Sequence, residues 1–299
     1  MTLSRTAKKR WFGIILIFPA LLLVFAIIMY PLYIIIQGSF YKGTILKLSY
    51  DTSPTLENYM TFFAEGNFIR PLVVTLLFII AVTSITFLVG FVTAIVLNQK
   101  FKGRRIARVL TLLPWPVPSS IASLVWIVML NPTIGIINYL LIQIGILDSP
   151  ITWLSSEIPA FLAVTLATSW KGYPFFTLIL LSGMQSIPLQ LYEAAKLDGA
   201  NWWGRLIHVT LPSLRPVIAI GIIMRILWLL KDFSIIYIMT GGGPRGATET
   251  LALHLYKNAF EYFKMNYASA VGVVILVLGG IMTFLVLRMR KYQGDQSEK

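Results

Sequence analysis

Apolar residues fall in long unbroken runs along this chain, and polar residues are confined to short intervals between them. Six runs reach the roughly 20 residues that a helix needs to cross a hydrocarbon core: 11–36, 71–97, 109–130, 158–181, 217–240 and 267–287. Backbone N–H and C=O groups find no water at that depth, so each run is expected to be a helix, which pairs them internally. The strict period-two alternation of a membrane barrel strand is absent. The pattern predicts an all-α polytopic membrane protein with six transmembrane helices. Residues 1–70 would hold a tail, the first helix and an outer loop, 71–290 a five-helix transmembrane core, and 291–299 a second tail.

Composition agrees with lipid as the solvent. Of 299 residues, 57% are hydrophobic and only 12% charged, where a soluble domain carries about a quarter charged. The N-terminus, MTLSRTAKKRWFGIILIFPALLLVFAIIMYPLYIII, has the basic flank of a signal peptide. Its apolar run far exceeds the roughly 7–15-residue core of such a signal, and no small-residue cleavage pattern closes it. A retained transmembrane helix is expected. The absence of cysteine removes disulfides, thiolate metal sites and cysteine nucleophiles. The two histidines, His208 and His254, form no metal-ligand constellation, and no metal is expected.

The net charge of +13 is unevenly placed. Arg5, Lys8, Lys9 and Arg10 precede the first run, and Lys100, Lys102, Arg104, Arg105 and Arg108 follow the second. Lys196, Arg205 and Arg215 lie between the fourth and fifth, and Arg288, Arg290, Lys291 and Lys299 follow the sixth. The alternate loops hold only Lys42, Lys47, Arg70, Arg245, Lys257 and Lys264. The positive-inside bias predicts that both termini and the 193–215 passage lie in the cytoplasm. Basic residues that border spans read as orientation signals, not as a nucleic-acid surface. The outer loops look ordered. Residues 37–70 mix aromatics with Asp51, Glu57 and Glu65, and 131–157 reads as a turn and a short interfacial helix. Residues 241–266 open with a glycine-proline turn and continue as an amphipathic helix through Phe263.

One polar passage stands apart: SIPLQLYEAAKLDGANWWGRLIHVTLPSL (186–214). Ser186 suits an N-cap and Pro188 a first turn. Leu191, Ala194, Ala195 and Leu197 supply a non-polar face. Asp198-Gly199 then ends the helix, since glycine accepts left-handed backbone angles. Asn201 is placed to cap a second short helix presenting Trp202, Trp203, Leu206 and Ile207, which Pro212 is expected to stop. Such a pair fits two roles, an interfacial anchor or a rigid knob that enters a groove on a partner.

Glu193-Ala194-Ala195, Gly199 and Leu211-Pro212 match the EAA-x3-G-x9-I-x-LP signature of binding-protein-dependent ABC importer permeases, with Val209 at the isoleucine position. SWKGYPFFTLILLSGMQSIP (169–188), DFSIIYIMTGGGP (232–244), PWPVPSS (114–120) and NPTIGIIN (131–138) resemble the maltose-type sugar permease subfamily, collinearly from Pro71 to Arg290. The resemblance implies a transporter subunit without its own catalysis or cofactor, in the cell inner membrane. It implies a second related permease and a dimeric ABC ATPase that binds ATP and Mg and docks on the EAA helix between the fourth and fifth spans. It also implies an extracytoplasmic solute-binding protein that meets loops 37–70 and 241–266, and a sugar or related polyol as cargo. Glu193, Ala194, Ala195, Asp198, Gly199, Leu211 and Pro212 are the implied coupling residues. The chain has no GxxxxGK[ST] phosphate loop, which agrees with a separate motor.

Four charges fall within the spans: Lys171, Arg225, Lys231 and Asp232. Charge at membrane depth is costly unless it meets a cavity or a counter-charge. By the resemblance, the sugar would rest on Thr168, Lys171, Gly172 and Phe175 of the fourth span and Trp228, Leu229 and Asp232 of the fifth. The related pattern is uncharged at Lys171 and Asp232, which leaves room for a cargo bearing an anionic group. A purely structural Lys171–Asp232 bridge is the competing expectation. An ion-gradient-driven carrier or channel that uses the same four charges is the rival function. Trp11, Trp115, Trp126, Trp153 and Trp170 read as interface belts or packing.

Overall fold

The computed structural model describes residues 16–42, 53–64 and 68–297, with side chains placed through residue 288. In chain order its helices are α1 (Leu16–Gly38), α2 (Glu57–Ala64), α3 (Ile69–Asn98), α4 (Arg104–Leu112), α5 (Ser119–Met129), α6 (Ile136–Gln143), α7 (Glu157–Gln185), α8 (Leu189–Leu197), α9 (Trp202–Leu229), α10 (Ser234–Thr240), α11 (Leu251–Tyr256) and α12 (Met265–Ser297). No strand occurs among the described residues, as the apolar patterning requires. Trp11 and the basic N-terminal tail lie outside the described residues, as do Lys47, Asp51 and Glu65.

Span by span, the six-helix expectation is partly met. Four described helices are long and apolar enough to cross a bilayer: α1, α3, α9 and the Met265–Arg288 stretch of α12. A fifth is reached if α7 is counted with α8, which continues it after a 72° bend. The expected span at 109–130 is instead broken into α4 and the 11-residue α5. Pro114, Pro116 and Pro118 cause the break, because each removes a backbone donor and disfavours helical angles in the residue before it. The expected span at 217–240 is also redrawn: its helix starts at Trp202, ends at Leu229 and resumes as α10.

Two compact units make up the chain. One comprises residues up to Gly66 together with Leu255–Val274. In it, α1 presents apolar side chains outward along its length, with Leu16 and Phe25 exposed, a surface suited to lipid. Polar contacts order the loop that follows α1. Ser39 Oγ lies 2.7 Å from the Tyr59 hydroxyl, and Asn58 donates to the Ser39 and Tyr41 carbonyls at 3.0 and 2.9 Å. Lys42 pairs with Glu57 at the start of α2. Phe62 is fully buried and meets Tyr267 edge-on.

The second unit comprises Asn67–His254 and residues from Ile275 onward. Its core is the α3–α7 contact. Ala94, Leu97, Phe175, Phe176, Leu180, Leu181, Met184 and Leu214 form a buried cluster there. Lipid offers helices no hydrophobic drive to associate, so close backbone approach and interhelical hydrogen bonds must hold them. Gly90 supplies the approach: a Cβ there would lie 2.5 Å from Phe176 Cβ and 3.0 Å from the Thr177 nitrogen. Thr93 and Thr177 bridge the same contact, hydroxyl to hydroxyl, at 2.6 Å. Gly90→Leu is therefore expected to destabilise the purified protein by about 1–3 kcal/mol, seen as a lower Tm in detergent. An unchanged Tm would contradict this packing.

Proline acts differently inside the packed helices. Pro174 lies within α7 without ending it. Pro212 does not stop the helix that begins at Trp202, contrary to the local rule. A π-turn at Leu206–Thr210 lies immediately before it, with the Leu211 N–H reaching back to the Leu206 carbonyl. The wider turn gives the proline ring room where an α-helix would press it against the carbonyl four residues earlier.

Candidate functional site

Two features of the second unit carry chemistry. The first is the α8–α9 joint. Ser186 is not the cap of α8; its hydroxyl donates to the Gly183 carbonyl and finishes α7, while Pro188 occupies the N-cap position. At the other end α8 closes as expected. Ala200 N–H reaches the Ala195 carbonyl at 2.9 Å and Gly199 N–H the Lys196 carbonyl at 3.1 Å. This is the paired pattern of a Schellman cap, and Gly199 has the positive φ of 79° that the pattern demands. Asp198 sits at the C-cap. Asn201 caps α9 through its Oδ1, which accepts from Gly204 N–H at 2.8 Å.

The expected apolar face of α8 is not buried. Leu191 and Ala194 are exposed, and Leu197 is 89% exposed; only Tyr192 and Ala195 turn partly inward. Glu193 is also exposed, and Trp203 at the start of α9 is 63% exposed. Tyr192 ties the rod to α9 through a 3.0 Å contact with Thr210 Oγ1. Behind it, a hollow of about 230 Å³ separates Tyr192 and Trp202 from Asn98 and Gln99 at the end of α3. Leu211 and Pro212 lie farther along α9, half-buried. The joint is thus a short projecting rod, fixed at its root and bare on its flanks.

The second feature is a cavity of about 270 Å³ between α7 and α9, lined by Trp115, Thr168, Lys171, Gly172, Phe175, Arg225, Trp228, Lys231, Asp232 and Ile235. Phe175 and Trp228 meet edge-to-face at 4.7 Å and form an aromatic wall. Arg225 is the centre of the polar side. It is only 8% exposed, its Nη2 donates to the Thr168 carbonyl at 3.3 Å, and its guanidinium fills the space beside Gly172. A Cβ on Gly172 would lie 2.5 Å from Arg225 Cζ, so only glycine admits this arrangement. Arg225 Nε and Thr168 Oγ1 belong to residues that line this cavity but are themselves buried, with no hydrogen-bond partner among the described residues.

Most of the expected cargo-path residues meet here: Thr168, Lys171, Gly172, Phe175, Trp228 and Asp232. Leu229 does not reach the cavity and is buried in the core. No ion pair joins Lys171 to Asp232; the ion pairs found among the described residues are Lys42–Glu57, Arg70–Glu157 and His254–Glu249. Asp232 instead accepts from the N–H of Ser234, the first residue of α10, at 3.1 Å. Trp115 lines the cavity and is not a belt residue. Sequence reasoning placed Arg225 in a span but not in the site. The available signal was its spacing, since residues 225, 228 and 232 fall on one helical stripe.

A cavity with charged and aromatic lining between apolar helices, and an exposed rod on the same α7–α9 segment, are the features a transport subunit driven by a partner would need. Comparison with known proteins agrees. Residues 86–291 match the family described as the binding-protein-dependent transport system inner membrane component. The chain is 35% identical over 289 residues to the trehalose/maltose transport system permease protein MalF of Thermococcus litoralis, covering 95% of each chain. It is 32% identical over 280 residues to the sulfoquinovosyl glycerol transport system permease protein SmoG of Agrobacterium fabrum, covering 94% of this chain and 90% of that one. Its fold matches a chain of a bacterial alginate ABC transporter, solved in complex with an alginate pentasaccharide-bound periplasmic protein, with a TM-score of 0.82 at 20% identity over 96% of each chain. The chain belongs to the family of binding-protein-dependent transport inner membrane components and is a permease subunit of an ABC importer.

Proposed function

We propose that this subunit forms one half of an alternating-access pathway for a sugar or related polyol. The observation that carries the reading is the cavity, where an aromatic wall of Phe175 and Trp228 faces polar groups from α7 and α9. Aromatic faces suit the apolar face of a pyranose, and the polar groups opposite suit its hydroxyls. The relatives named for trehalose, maltose and sulfoquinovosyl glycerol support the same class of cargo.

The rest of the assembly follows from that role. A second related permease completes the pathway, and residues 71–290 serve as the transport core. A dimeric ATPase holding ATP and Mg grips the rod at Glu193, Ala194, Ala195, Asp198 and Gly199, with Leu211 and Pro212 at its root. Both termini and the rod face the cytoplasm, and an extracytoplasmic binding protein delivers cargo to the opposite side. ATP can drive the cycle only if it binds one conformation more tightly than the other.

Uptake of labelled neutral and acidic disaccharides into vesicles that hold the intact importer tests the reading. Transport that needs ATP and survives an ionophore is expected. Transport that persists without nucleotide and collapses with the ion gradient would instead establish the rival, gradient-driven carrier.

A further inference from the structure

Charge in the cavity does not balance. Lys171, Arg225 and Lys231 line it against a single carboxylate, Asp232. None of the four makes a contact ion pair with another, although Asp232 acts on Arg225 through space. Asp232 is also partly committed to the N–H of Ser234. Arg225 is buried, with its Nε unpartnered, and the Thr168 hydroxyl beside it is buried and unpartnered as well. Arg225 is the costly member, since a buried charge and buried donors without acceptors are unfavourable unless paired, and the exposed Lys231 and half-buried Lys171 add like charge beside it. A neutral sugar can occupy the hydroxyl sites but cannot neutralise the excess charge.

We infer that the cargo carries an anionic group, a carboxylate or sulfonate on a sugar ring, held among Arg225, Lys171 and Lys231 while the ring lies against Phe175 and Trp228. This rests on the sugar reading above and narrows it. The volume of about 270 Å³ falls just below the roughly 300–1,000 Å³ usual for ligand pockets, as expected for one wall of a site that a second permease completes. Oxyanions suit such a site because each accepts several charge-assisted hydrogen bonds, and arginine and lysine donate the strongest of them. Asp232 opposes the anion and limits its affinity, which a pathway needs if cargo is to leave.

Equilibrium dialysis of the purified permease–ATPase assembly in nanodiscs, without the external binding protein, tests the inference. The probes are maltose and a glucuronosyl-glucose of the same linkage, which differ by a carboxylate in place of a hydroxymethyl group. The acidic probe is expected to bind more tightly, and its advantage to shrink as ionic strength rises. Lys231→Gln, at an exposed position that folding tolerates, should cut the acid-to-neutral affinity ratio about tenfold. Asp232→Asn should raise it by a similar factor. Equal or tighter binding of maltose by the wild type, or a ratio that neither substitution moves, would overturn the inference. Binding of neither probe would sink the sugar reading itself, so the two failures are distinguishable.

Discussion

Gly172→Leu is expected to abolish transport, with uptake per inserted molecule falling at least a hundredfold. The guanidinium of Arg225 occupies the space that any side chain at 172 would enter, and even a single Cβ would lie 2.5 Å from Arg225 Cζ. Moving the Arg225 head group aside breaks its hydrogen bond to the Thr168 carbonyl and drives the guanidinium into the cavity. Overpacking alone costs about 1–3 kcal/mol. Loss of the charged hydrogen bond from Arg225 to the Thr168 carbonyl adds about 1.5–3 kcal/mol. The cavity would lose its central cation and its shape together. Uptake normalised to membrane-inserted protein, with Tm in detergent alongside, measures both effects. Gly280→Ala is the matched control: a Cβ there meets nothing within 4 Å, and alanine in place of a helix-interior glycine stabilises by about 0.5–1 kcal/mol. Wild-type uptake and Tm in Gly172→Leu would show that Arg225 does not depend on this niche.

Glu193→Ala is expected to remove ATP-coupled uptake while leaving stability and insertion unchanged. Glu193 is exposed on α8 and has no hydrogen bond or ion pair among the described residues, so truncating it removes no contact seen in the fold. Its proposed partner lies on the ATPase. Truncating one member of a buried interfacial charge pair costs about 2–5 kcal/mol, which weakens docking roughly thirtyfold or more. Gly199 is tested separately through its backbone. A Cβ there meets nothing within 4 Å, so Gly199→Ala is opposed only by the positive φ, at about 1–2 kcal/mol. Gly199→Asn should retain more function than alanine, since asparagine tolerates that conformation. Co-purification of the ATPase with each variant is the readout. An E193A subunit that retains both its ATPase and full uptake would refute the docking role.

Coupling between rod and cavity has a physical route in this fold. Tyr192 on the rod contacts Thr210 on α9, and α9 carries Arg225 and Trp228 to the cavity. A displacement of α8 is thus delivered to the helix that lines the cavity. The same α9 crosses Pro212 on a π-turn, which keeps Thr210, the anchor of the rod, on one continuous helix with Arg225 and Trp228.

Features governed by a few adjacent residues were legible in the sequence. Apolar runs without strand alternation implied helices in lipid, and the Asn201 cap and the Gly199 stop follow from groups one turn apart. The rod was readable for the same reason. Proline was misleading because its local rule has two outcomes: Pro114, Pro116 and Pro118 break a helix, whereas Pro174 and Pro212 sit inside packed ones. Ser186 and Pro188 were both recognised as helix-start residues, but which of them sits at the boundary depended on where α7 ended.

The sequence by itself determined the solvent, the helical class, the break at Gly199 and the presence of charges within the spans. Tertiary structure alone decided which of those charges meet. Arg225 and Thr168 are 57 residues apart in the chain, and no spacing rule pairs them. Spacing sets the stripe on which a residue lies along its own helix, but the rotation of that helix against its neighbour is set by side chains on both. Gly172 admits the Arg225 guanidinium, Gly221 admits Ile179 and Phe176, and Gly183 admits Leu214. That interlock turns Trp228 and Arg225 toward the cavity and Leu229 into the core.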